Sequence, residues 1–192
     1  MVIASMILLF TVPSPYFVAA TFVSTSCMMG VAYALGALRW SRPPPGRVLL
    51  GAASAALLYG IFYAGAWAVS AYHPFGITSA SETSIYSLIS SPSNPIYLQV
   101  LVLLFDSAGF EAFFRGVLQK RLSARFGLLA APVVALLDAM IHVVTLNPLW
   151  AGATFVTDLI WGLTYHYGDG TQSSFTSHFM WDVAIFVLRP IT

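Results

Sequence analysis

The chain has 192 residues, 58% hydrophobic and 8% charged, with a formal net charge of +1. A soluble domain carries roughly 25% charged residues, so a water-exposed globule is excluded and a bilayer is the expected solvent. The balanced charge leaves no basic stripe for phosphates, which excludes nucleic acid as a partner, and the single Cys27 rules out an internal disulfide.

A helix needs about 20 apolar residues to cross the hydrocarbon core, and six windows meet or approach that length: 16–38, 48–72, 96–118, 126–146, 149–166 and 170–188. The expected fold is all-α: one polytopic membrane domain over 1–192 with about six transmembrane helices. The stretch ending at Phe10 is too short to span and, with Pro13 and Pro15 behind it, reads as interfacial. A signal peptide is its rival, because VAA at 18–20 resembles a cleavage site, but no Lys or Arg precedes it. The segment 73–95 is rich in Ser, Pro and Gly and reads as a loop, so 1–95 is expected to hold two accessory helices and that loop. Six of the eight Lys and Arg fall in two loops: Arg39, Arg42 and Arg47 in the first, Lys120, Arg121 and Arg125 in the third. The positive-inside rule then turns the first, third and fifth loops to the cytoplasm and both termini outward, with Arg189 against the rule.

The first two windows carry no charge, whereas the other four hold Asp106, Glu111, Arg115, Asp138, Asp158 and Asp182. Ionisable groups in a bilayer turn inward and pair. Residues four apart share a helix face, and three such pairs occur: Glu111 with Arg115, Asp138 with His142, and His178 with Asp182. The third, fourth and sixth helices are therefore expected to enclose a polar pocket, the bland alternative being ion pairs that only hold helices together. Glu111 and His142 are 31 residues apart. A hairpin turning at Arg125 to Gly127 sets each about 22 Å from the turn, at one depth.

Two histidines and two carboxylates suit zinc, but the sequence has no HExxH. No GxSxG is present either, and Cys27 lies among apolar residues. No metal and no cofactor are expected. What remains is a carboxylate and a histidine that activate water, with donors for the oxyanion.

FEAFFRG at 110–116, DAMIH at 138–142 and HFMWD at 178–182 resemble the three ordered motifs of the CAAX prenyl protease and bacteriocin-processing (CPBP) intramembrane endopeptidases. Those motifs are E-E-x-x-x-R, F-x-x-x-H and H-x-x-x-N or H-x-x-x-D. IWGLTYHYGDG before the last motif also looks like the family, and the resemblance covers residues 96–188, the expected catalytic core. It implies a multi-pass protein of the cell (inner) membrane that cleaves a membrane-associated protein or peptide. By resemblance His142 partners the base, while His178 and Asp182 form the oxyanion side. Asp106 and Asp158 match no motif and read as structural.

The chain departs from the family twice. The first glutamate falls on Phe110, leaving Glu111 as base with Arg115 one turn away, and the Phe of the second motif is Asp138, a carboxylate that can orient His142. An endopeptidase working through Glu111, His142, His178 and Asp182, supported by Arg115 and Asp138, is the leading expectation. A catalytically silent relative that binds a peptide or membrane partner is the alternative. A proton-coupled transporter is a third, opposed by the lack of an internal repeat.

Overall fold

The structure, a computed structural model, describes residues 1–11, 16–38, 42–72, 95–189 and 191. Pro13, Pro15, Arg39 and all but the last residue of the expected 73–95 loop lie outside the described residues. The described residues form helices and no strand.

Helix α1 is Val2–Thr11, α2 Phe17–Ala34, α3 Pro45–Tyr72 and α4 Ile96–Phe113. α4 widens into a π-helical segment, Phe114–Gln119, and continues as α5, Lys120–Phe126. Gly127 ends α5 at φ 55°, a conformation that side chains resist, and the chain returns as α6, Ala130–His142. α7, Pro148–Tyr167, starts at Asn147, whose side-chain oxygen accepts from the amides of Leu149 and Trp150. α8, Thr171–Val183, ends in a second π-helical segment, Ala184–Leu188.

By length and composition, three helical runs among the described residues can cross a membrane: Phe17–Ala34, Pro45–Tyr72 and the 50-residue Ile96–Thr145. The last reverses at Gly127 and so holds two of the expected windows. The fifth and sixth windows do form helices. Thr157, Asp158 and Thr164 of α7, and Ser173, Ser174, Ser177 and His178 of α8, dilute their hydropathy because these residues are buried inside. The packing is polar within and apolar without: Ser24, Arg115, Asp158 and Ser177 are fully buried, while Leu49, Leu57, Leu101, Leu136 and Met140 are exposed. That distribution suits lipid rather than water.

The helix ends sort into two faces. Arg47 at the start of α3 bonds Gln172 at 2.8 Å and meets Asp169 at 3.4 Å, joining the first loop to the α7–α8 turn. Gly116 stands beside Ala37 and Thr171, and the exposed Lys120, Arg121 and Arg125 continue from it. At the opposite face Trp67, Tyr72 and Tyr97 are exposed at the end of α3 and the start of α4, as interfacial aromatics are.

The opening stretch does more than lie at an interface. α1 packs on α2 and α6, burying Val2, Met6 and Leu9, because a short apolar helix covers more apolar surface inside than at a headgroup layer. Small residues allow the tightest crossings. At Gly162 of α7 a Cβ would lie 2.9 Å from the Cβ of Ala131 on α6 and 3.0 Å from Gln119 Oε1.

Candidate active site

All three four-apart pairs form. Arg115 Nε lies 3.5 Å from Glu111 Oε2, His142 Nδ1 3.7 Å from Asp138 Oδ1, and His178 Nε2 3.4 Å from Asp182 Oδ2. His178 also brings its Nδ1 within 3.0 Å of Glu111 Oε1, which ties α8 to α4 and puts these groups at one depth. Both ring nitrogens of His178 thus face carboxylate oxygens, and Trp161 stacks on the ring at 3.6 Å between centroids.

Glu111 is not Arg115's main partner. The guanidinium grips Asp158 of α7 through Nη2 and Nη1 and reaches the Asp158 carbonyl at 3.0 Å. Gln119 completes this knot, accepting from Arg115 at 3.4 Å and donating to the Gly162 carbonyl at 2.8 Å. Arg115 and Asp158 are both fully buried, so Asp158 is a structural anchor. The π-helical segment carries Arg115 and Gln119 into this knot, one turn beyond Glu111.

A cavity of about 350 Å³ lies beside these pairs. Its wall takes in Asp106, Asp138, His142, His178 and Asp182, with Phe110, Trp161 and Trp181 among its apolar lining. The pocket is therefore wider than one between the third, fourth and sixth helices: Met6 and Phe10 of α1, Phe17 of α2, Phe62 of α3 and Trp150 of α7 also line it. No Lys or Arg lies among the lining residues.

Glu111 is absent from this wall. Its carboxylate is 1% exposed and turned to His178 and Arg115, while its neighbour Phe110 takes the cavity side, edge-on to His178 at 5.2 Å. His142 makes no bond to Glu111 or His178. Its Nδ1 lies 3.0 Å from the Asp138 carbonyl oxygen, and its ring is bracketed by Phe10 at 4.2 Å and Trp150 at 5.8 Å. Asp106, expected to be structural, accepts from Thr25 at 2.8 Å and also reaches the cavity. Among the described residues no three His, Cys, Asp or Glu are grouped as a metal requires.

The residues that sequence reasoning missed are Phe10, Trp150, Trp161 and Trp181, which line the cavity around the two histidines. Trp161 stands in IWGLTYHYGDG and Trp181 in HFMWD, both stretches singled out from the sequence, but neither tryptophan was given a role.

No curated protein and no solved structure matches this chain. Residues 92–184 match the family model of type II CAAX prenyl endopeptidase Rce1-like proteins, a protease family, and the match takes in all three motifs. The match covers just under half of the chain and supports membership of the CPBP family.

Proposed function

We propose that this protein is a multi-pass intramembrane endopeptidase of the cell membrane that hydrolyses a peptide bond in a membrane-associated protein or peptide, with His142 as general base. The observation that carries this reading is the contact of His142 Nδ1 with the Asp138 carbonyl at 3.0 Å. A carbonyl oxygen only accepts, so Nδ1 carries the ring proton and Nε2 keeps its lone pair, on a ring that lines the cavity. Water gives a proton to Nε2 as its oxygen bonds to the substrate carbonyl carbon, and the carbonyl electron pair moves to oxygen. The intermediate then collapses, the C–N bond breaks, and the leaving amine takes the proton from His142. One water is consumed, and an acid and an amine are released.

In this scheme Glu111 acts as a positioning residue, holding His178 against Asp182 from behind the wall, with Arg115 as counter-charge. Asp138 holds the His142 tautomer through its main chain and faces the ring with its carboxylate. The basic residues of the first and third loops, read by the positive-inside rule, support an orientation with both termini outside.

A catalytically silent relative is the second reading, favoured by Phe110, whose ring stands at the cavity wall where the family pattern has a carboxylate. The test uses protein in lipid nanodiscs and internally quenched hydrophobic octapeptides randomised at their central positions. The peptidase reading expects cleavage by wild type that falls at least about 100-fold in His142→Ala, the usual scale for a lost acid–base group. Binding without cleavage by wild type favours the silent relative.

A further inference from the structure

We infer that the indole N–H groups of Trp161 and Trp181 are the donors that stabilise the oxyanion of the tetrahedral intermediate. This deepens the peptidase reading and rests on it. Hydrolysis moves an electron pair onto the substrate carbonyl oxygen, and that charge needs donors fixed in a dry site. The expected donor was His178, but its Nδ1 faces Glu111 at 3.0 Å and its Nε2 faces Asp182 at 3.4 Å. No free N–H remains on that ring.

The neighbouring indoles are in the opposite condition. An indole N–H can only donate, and buried donors nearly always find an acceptor. Trp161 and Trp181 are 4% and 6% exposed, both line the cavity, and neither Nε1 has a hydrogen-bond partner. They stand together, ring centroids 5.7 Å apart at 76°, with Trp161 stacked on His178. Two unsatisfied buried donors on lining residues, in a wall whose ionisable groups are acids and histidines, fit a ligand that brings its own acceptor and turns the indoles to meet it. A peptide carbonyl is such a ligand, and its oxyanion accepts more strongly than its ground state. No protein acceptor has to be broken to receive it.

The test removes only the N–H. 3-Benzothienylalanine, in which sulfur replaces that group, is placed at 161, at 181 and, as a control, at the exposed Trp67. Each protein is assayed in nanodiscs on one octapeptide that wild type cleaves, beside His142→Ala and a thermal melt. Loss of one oxyanion donor lowers kcat about 100-fold. That loss is expected at 161 and 181 with KM and melting unchanged, and no change at 67. Cleavage that needs His142 but keeps its kcat at both altered positions overturns the donor assignment and leaves the peptidase reading standing. A fall in kcat matched by a fall in folded protein also overturns it. If wild type cleaves no octapeptide of the mixture, the peptidase reading fails and this inference fails with it.

Discussion

The ring of Phe10 lies 4.2 Å from the imidazole of His142, and Trp150 closes on both rings at 5.3 Å and 5.8 Å. Phe10 belongs to α1, outside the segment matched by the family. The short first helix therefore supplies a wall of the site, and its ring limits how far His142 can tilt and how much water reaches it. Phe10→Ala is expected to lower kcat about tenfold, a barrier change near 1.4 kcal/mol, and Phe10→Tyr to retain most of it. Steady-state kinetics in nanodiscs check this; an unchanged kcat in Phe10→Ala would remove α1 from the account.

Arg115 and Asp158 make the buried ion pair on which the crossing of α4 and α7 depends. Removing one partner strands a charge away from water, at a cost of about 3–5 kcal/mol. Asp158→Ala should therefore lose folded protein in a denaturation series in mild detergent. Glu111→Gln should fold, because an amide oxygen still accepts from His178 Nδ1, and lose cleavage instead. Equal destabilisation by both substitutions would make Glu111 a purely structural residue.

The helix content and the three four-apart pairs could be read directly, because helical spacing puts such residues on one face whatever the tertiary packing. Depth counting from the Arg125 to Gly127 turn set Glu111 and His142 at one level, but the histidine that meets Glu111 is His178, at 3.0 Å. The cross-helix choices were not legible. Arg115 and Asp158 are 43 residues apart, and their pairing depends on how α4 lies on α7. The side of Glu111 away from the cavity follows from the rotation of α4 about its axis, which a helix carrying both Asp106 and Glu111 does not settle from its sequence. The role of α1 was hidden for the same reason: VIASMILLFT has no polar stripe to show which face packs inward.

Gly162→Ala tests the seam between α6 and α7. The added methyl would meet Ala131 at 2.9 Å and Gln119 at 3.0 Å, and overpacking of this kind costs about 1–3 kcal/mol. Gly152→Ala, with open space around its Cβ position, should leave the melt unchanged. A tolerated Gly162→Ala would show that the helices can part without loss.

Phe110→Glu separates the two functional readings. The new carboxylate would face the cavity near His178. If the protein is an active peptidase, cleavage should stay within about tenfold of wild type, or about 1.4 kcal/mol of barrier. Cleavage seen only in Phe110→Glu would identify wild type as the silent relative.

The measurement that bears most directly on His142 as base is the nitrogen NMR spectrum of protein labelled with ¹⁵N-histidine in nanodiscs, with His142→Gln used to assign the signal. The account predicts a neutral ring with hydrogen on Nδ1, held by the Asp138 carbonyl, and a lone pair on Nε2. Hydrogen on Nε2 of the neutral ring would leave no base facing the cavity at this residue and would contradict the mechanism.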